Sequence, residues 1–381
     1  MKFKKTALFT LSIIISLVLL ELGLRFVLPL VIDLSYTNKI YDEKLGHRVN
    51  KSLSGIDENG FRNSKILEQA DIAVLGDSHT YGVNASLEES WPQQVAEMAN
   101  MSVYNFGAGN YGSLQYDYLM EETINLRPKH IIIGLYLAND LNDVCELINE
   151  RQYWQVRLKE LGYSIEDCID SSNLSSILKN ALSKLHLSLL TTRGFKKIYE
   201  RLNLSGSIKI REDEFFTIIK NKRITSHKRM MDMERKRIRL GFKITKDILE
   251  NSNRKANLNN TEFGVVFIPS KERVFFDYLT EKGYQLPADY NELVDNEVKL
   301  IEMFSNSFKE QGIKFVDANP YVEEQIYKSK PLYPLSDNGH PFAIGYNAYA
   351  RAVFDCIIKE NIDKEYCNKA PSVRERFADE D

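Results

Sequence analysis

Five short apolar runs, at 71–76, 102–106, 130–136, 263–269 and 313–317, most constrain what this chain can fold into. Each is of strand length and flanked by Gly, Pro, Asn or Asp. In His130-Ile131-Ile132-Ile133-Gly134-Leu135-Tyr136 apolarity is continuous rather than alternating, as in a strand covered on both faces. Helix-like stretches lie between the runs at 88–100, 114–127 and 290–311, and a last one spans about 342–360. Strand and helix in alternation predict a three-layer α/β/α fold around a roughly five-stranded parallel sheet. In such a sheet ligands sit beyond the carboxyl ends of the strands. Ser78, Asn110 and Asn139 each follow a predicted strand and are expected to meet at that edge.

The rhythm stops between 141 and 262, which is expected to be a mainly helical insertion. Leu174, Ile177, Leu178, Ala181, Leu182, Leu185 and Leu189 make one apolar stripe at helical spacing. Residues 220–239 hold nine Lys/Arg and two Asp/Glu. A solvated helix face is the plain account of that run; contact with an anionic polysaccharide or a membrane surface is the sharper one. Residues 33–70 form a connecting segment with a turn at Asn59-Gly60. The core domain is expected over 71–362 and a tail over 363–381.

The N-terminus differs in kind. Lys2, Lys4 and Lys5 precede an uncharged run from Thr6 to Leu20, and after Glu21 and Arg25 apolarity resumes to Ile32. Residues 1–32 are long enough to span a bilayer with some tilt, and no small-residue cleavage site follows. The expectation is a transmembrane signal anchor with the lysines inside and the rest exported to the periplasmic or extracellular side. A cleaved signal peptide is the alternative, and it also exports the chain. Export permits disulfides, for which 145–168 and 356–367 are the most local pairings; buried free thiols are the alternative. With a formal net charge of −3, no nucleic-acid partner is suggested.

The chemistry-bearing residues fall into four blocks. Ser78 in Gly76-Asp77-Ser78-His79 stands at a strand end, where a tight turn exposes a hydroxyl. A serine nucleophile needs a base and donors for the developing oxyanion. Among six histidines His340 is the base candidate. Asp337, three residues earlier, can fold back onto Nδ1 and leave Nε2 facing the serine. Gly339 permits a bend between them. His79 adjoins the serine and is expected to point elsewhere. The Ser78 N–H, an N–H in the turn at Gly109 or Asn110, and the Asn139 amide are the oxyanion candidates. No metal and no cofactor is implied: none of the cysteine spacings resembles a zinc site, and six histidines scattered along the chain speak against a two-metal phosphoesterase.

Together the blocks resemble those of the SGNH (GDSL-type) hydrolases. Gly76-Asp77-Ser78-His79 resembles the nucleophile block and Asn105-Phe106-Gly107-Ala108-Gly109-Asn110 the glycine block. Ala138-Asn139-Asp140 resembles the asparagine block and Asp337-Asn338-Gly339-His340 the Asp-x-x-His block. His79 replaces the family's Leu, and Leu137 stands where Gly is usual. The resemblance spans about 70–360. It implies a flavodoxin-like sheet and metal-free hydrolysis or transfer of acyl esters. Ser78 would be the nucleophile, His340 the base and Asp337 its orienter. The membrane-anchored subset with a helical insertion is the nearest pattern, which implies an acyl ester substrate such as an O-acetylated cell-envelope polysaccharide. A non-catalytic carbohydrate-binding or scaffolding protein on the same fold is the competing class.

Overall fold

The computed structural model describes residues 39–168, 207–212, 215–328, 331–359 and 367–368, with residues 12 and 16 as isolated helical positions. The chain divides into two compact units, Met1–Ile40 with Asp170–Gly206 and Tyr41–Ile169 with Ser207–Asp381. Most of the first unit, including the expected anchor at 1–32 and the stripe at 174–189, lies outside the described residues. Among the described residues no helix is long and apolar enough to cross a membrane.

The second unit is built on five parallel strands: β3 (Ile72–Gly76), β4 (Val103–Asn105), β5 (His130–Leu135), β8 (Glu262–Phe267) and β9 (Lys314–Asp317). They fall on the five apolar runs to within about two residues. Their order across the sheet, β4-β3-β5-β8-β9, has one reversal beside β3, as in flavodoxin-like sheets. β3, β4 and β5 are buried throughout, which is why their sequences do not alternate. Helices cover both faces. Trp91–Ala99 packs with Ala343–Val353; Lys236–Leu258 packs with Ser113–Asn125, Asp140–Glu150 and β8. At the amino edge the Asp71 carboxylate accepts from Ser102 N–H and Oγ and pairs with Lys129. Those bonds hold its pKa down at about 2.

Two features depart from the sequence expectation. The 33–70 connector contains a small two-stranded sheet, β1 (Lys39–Asp42) and β2 (Gly46–Val49). The 141–262 stretch is not only helical: β6 (Ser207–Glu212) and β7 (Phe215–Lys220) form an antiparallel hairpin. Phe215-Phe216-Thr217-Ile218-Ile219 is rich in aromatic and β-branched residues, so its preference is for strand. Helix Asn221–Met230 follows the hairpin directly.

Both local disulfides are formed, Cys145–Cys168 and Cys356–Cys367, with Cα–Cα distances of 4.8 and 5.2 Å. The first lies in a second apolar cluster with Val144, Ile148, Trp154, Leu158 and Ile244. The second ties the π-turn Phe354–Ile358 to a bridge between Cys367 and Val316 of β9.

Candidate active site

Parallel register brings the carboxyl ends of β3 and β5 level, with Gly76 opposite Gly134. The chain leaves β3 through Asp77, whose Oδ1 accepts the His79 N–H at 2.8 Å and starts the one-turn helix Ser78–Tyr81. That helix can sit so close because Gly76 has no side chain: a Cβ there would fall 2.0 Å from Thr80 Oγ1. Ser78 is thereby held half-buried at the strand end.

The glycine block is clasped to this turn by buried Asn105. Its Nδ2 donates to the Thr80 carbonyl at 2.9 Å and its Oδ1 accepts the Gly107 N–H at 2.7 Å. A Cβ built on Gly109 would meet only Ser78 Cβ, at 3.8 Å, so Gly109 lies beside the serine. Asn110 follows, exposed and left-handed with φ 65°. From the end of β5, Asn139 points its Nδ2 at Asp77 Oδ2 at 3.4 Å, and that oxygen is 3.3 Å from Ser78 Oγ. Asp140 braces the same turn, its Oδ2 accepting from the Tyr136 N–H and the Tyr116 hydroxyl. Burial pushes the Asp77 carboxyl up to about 6, against the bonds it takes from His79, Asn139 and Ser78.

From 262 residues downstream, His340 Nε2 lies 2.7 Å from Ser78 Oγ. Its Nδ1 lies 2.7 Å from Asn338 Oδ1, which also accepts the His340 backbone N–H at 3.0 Å. A backbone N–H can only donate, so that Asn338 atom is an acceptor and Nδ1 must carry the ring proton. Nε2 then faces the serine as an acceptor. Asn84 closes the loop by donating to the His340 carbonyl at 2.9 Å.

This corrects the expected role of Asp337. Its Oδ1 accepts the Lys220 N–H at 2.9 Å, at the end of the hairpin, and its backbone carbonyl accepts from Arg223. The residue folding onto the imidazole is Asn338, two positions before it, because an Asn side chain reaches the N–H two residues on. Burial raises the Asp337 carboxyl above the ordinary range. Gly339 also differs from expectation. Its φ is not positive, so no bend demands it; a Cβ there would fall 1.8 Å from Arg223 Nη2. The glycine makes room for a guanidinium.

Arg223 is the principal residue that motif reading missed. Its Nε donates to buried Glu272 at 2.7 Å, Nη1 to the Asp337 carbonyl at 2.9 Å and Nη2 to the Tyr136 hydroxyl at 3.3 Å. His227 Nδ1 lies 3.3 Å from the same carboxylate. Despite burial, Arg223 and His227 hold Glu272 far below the usual carboxylate range. Lys271, fully buried, donates to the carbonyls of Ile218, Ser336 and Asn338. Burial, helped by Arg223, brings its pKa down to about 7. The signal was available in two places: the basic run after the hairpin, and Lys271-Glu272-Arg273 just past the carboxyl end of β8.

The His79 ring is buried against His340, with centroids 4.6 Å apart, and against Tyr136 at 4.3 Å, while the ring on Ser78 Oγ is that of His340. Burial, then His340, Arg223 and His227, hold it neutral. Burial, then Arg223, lower His340 itself to about 4. The base is therefore neutral over the whole physiological range. Among the described residues no group of three or more His, Cys, Asp or Glu could hold a metal ion.

A parallel sheet in this order gathers Ser78, Gly109, Asn139 and His340 at one edge, which is what the resemblance of the four motif blocks to the SGNH hydrolases leads one to expect. No family model and no curated protein matches the chain. Solved structures do. One is a catalytic mutant of an acetylxylan esterase from Geobacillus stearothermophilus: TM-score 0.39, 12% identity, covering 75% of this chain and 93% of that one. An extracellular lipase from Streptomyces rimosus gives 0.39 and 12%, covering 74% and 97%. Phospholipase A1 from Streptomyces albidoflavus gives 0.39 and 9%, covering 75% and 98%. The chemistry of the site rests on its own geometry.

Proposed function

We propose that this chain is a serine ester hydrolase or O-acyltransferase that works through an acyl-enzyme. The observation that carries the proposal is the 2.7 Å contact between Ser78 Oγ and His340 Nε2, with Nδ1 held by Asn338. Ser78 attacks an ester carbonyl as its proton passes to Nε2. The imidazolium then returns that proton to the leaving oxygen, and water or a sugar hydroxyl accepts the acyl group in the second half-reaction. Gly109 N–H, Ser78 N–H and the Asn139 amide are the proposed donors to the oxyanion. Asn139 and Ser78 meet on the same Asp77 oxygen, which supports that assignment.

The orienting group is a neutral amide, which fixes the tautomer but lends the imidazolium no negative charge. That agrees with a base held near pH 4 rather than raised above 6.5. Asp337 is proposed to act one step back, by shaping the loop. We propose further that the enzyme is anchored by residues 1–32 and works outside the cytoplasm, which two disulfides support. A short acyl group such as acetyl, on an envelope polysaccharide, is the substrate that the resemblance implies.

Labelling with a fluorophosphonate tests the mechanism. The full chain should be labelled and release acetate from small aryl acetates, and Ser78→Ala should do neither. Labelling that survives in Ser78→Ala would take the nucleophile's role from Ser78, and no turnover of any acetyl ester would return the chain to the scaffolding class.

A further inference from the structure

The described residues contain a cleft of about 480 Å³ between helices Asp140–Glu150 and Asn221–Met230 and the start of Lys236–Leu258. Lys222, Arg229, Arg235 and Arg237 line it, against a single carboxylate, Glu146. Glu146 is already engaged: its Oε1 accepts the Asn142 amide at 2.8 Å and lies 4.0 Å from Arg237 Nη2. Lys222, Arg229 and Arg235 form no ion pair among the described residues; the Arg235 guanidinium donates to the Arg229 carbonyl. Four cations around one small space repel one another, and an anion entering it relieves that repulsion.

The cleft shares two of its helices with the reacting edge. Asn142, on its wall, is one turn along the helix that Asn139 caps. Lys222 neighbours Arg223, whose guanidinium lies against Gly339 beside His340. Thr225, Ser226 and Asn142 add hydroxyl and amide groups to the same lining. The volume falls within the roughly 300–1,000 Å³ of small-ligand pockets. Cations interleaved with neutral hydrogen-bonding groups suit a hydroxylated anion. A concave wall admits one such group, whereas a lipid surface is met by an exposed face.

We propose that this cleft is a subsite for an anionic sugar of the substrate, carboxylate- or phosphate-bearing, next to the unit whose ester is cleaved. The assignment rests on the serine-esterase reading for its place in catalysis, but not for binding. It turns a basic run that a solvated helix face would also explain into a determinant of specificity.

The test has a binding arm and a turnover arm, both on the full chain. In calorimetry, a non-acetylated oligouronate and a sugar phosphate are compared with a neutral xylo-oligosaccharide and with anionic lipid vesicles. The anionic sugars should bind, and the better of the two assigns the anion. Arg229→Glu and Arg235→Glu should each weaken binding about tenfold or more, as should 0.5 M salt. In turnover, the O-acetylated anionic sugar should be preferred to its neutral counterpart. The two variants should raise KM for the anionic ester and leave a neutral aryl acetate unchanged. Equal binding of neutral and anionic sugars, preference for vesicles, or indifference to both charge reversals overturns the subsite. Anion binding that depends on Arg229 and Arg235, in a protein that turns over no ester, upholds the subsite and removes the esterase reading instead.

Discussion

Replacing Arg223 with methionine separates what the active-site frame contributes to stability from what it contributes to catalysis. The guanidinium neutralises Glu272, a carboxylate with no exposed surface, through a 2.7 Å contact. With the cation gone, Glu272 keeps its own backbone N–H and His227 at 3.3 Å. Removing one partner of a buried pair destabilises by about 3–5 kcal/mol, mostly because the other charge is stranded. At about 2 °C per kcal/mol for a unit of this size, the melting temperature should fall by roughly 6–10 °C. Adding Glu272→Gln should recover part of that loss, since the stranded charge is then absent.

The same substitution has a second, independent readout. Arg223 is one of the two causes, after burial, that lower His340 to about 4. The base works when neutral, so activity is lost as pH falls through its folded pKa. Taking away a nearby positive charge makes protonation easier and raises that pKa, while burial still opposes it. The acid limb of kcat/KM should therefore move upward from about pH 4, stopping short of the ordinary imidazole value of about 6.5. Arg223→Lys keeps the charge but not the fork: its limb should stay near 4 while kcat falls, because the Asp337 carbonyl and Tyr136 lose their donor. An Arg223→Met protein that melts with the wild type and keeps its acid limb would refute both steps of the reasoning.

Asn338→Ala should lower kcat by about 100-fold or more with little change in KM, whereas Asp337→Asn, which can still accept the Lys220 N–H, should keep most of its turnover; the reverse ranking, from steady-state kinetics, would put the carboxylate back on the imidazole. Gly339→Ala should cost more than tenfold in kcat, because its Cβ would collide with Arg223 Nη2 at 1.8 Å, and an unimpaired variant would show that the loop is not packed as described. The wild-type kcat/KM profile should be flat above about pH 5 and fall through about pH 4, and a midpoint near 6.5 would contradict the burial of His340. Replacing Cys145 and Cys168 with alanine opens a loop of sequence separation 23 and should lower stability by about 3 kcal/mol in denaturant unfolding; no change would mean that the link is not formed in solution.

The sheet was legible because β3, β4 and β5 are buried throughout and β8 and β9 nearly so, which makes each a short, mostly apolar run of strand length between turn residues. The hairpin was not, since β6 (Ser207–Glu212) mixes charged residues with apolar ones and its partner runs directly into a basic helix. Ser78, Asn139 and His340 were legible for a different reason: each follows or faces a strand end, and topology alone brings strand ends to one edge. The partner of His340 was missed at the scale of one residue. Asp and Asn sit side by side at 337 and 338, and which of them turns inward depends on the Lys220 N–H and Arg223, both supplied by a distant segment.

That dependence changes what the stretch between β5 and β8 is for. Lys220 and Arg223 belong to it, and Lys271 ties its Ile218 carbonyl to those of Ser336 and Asn338. These three residues, with Thr217 on the Pro334 carbonyl and Asn84 on that of His340, hold the carbonyls and the carboxylate of the loop that presents His340. A stretch that looks dispensable, because it interrupts the strand–helix rhythm, therefore sets the distance between base and nucleophile. Two consequences separate this from a movable cover over a finished site. Substitutions in the hairpin should reach kcat rather than substrate affinity alone. Deleting 207–230 should leave Ser78 on an intact strand end with no imidazole in register.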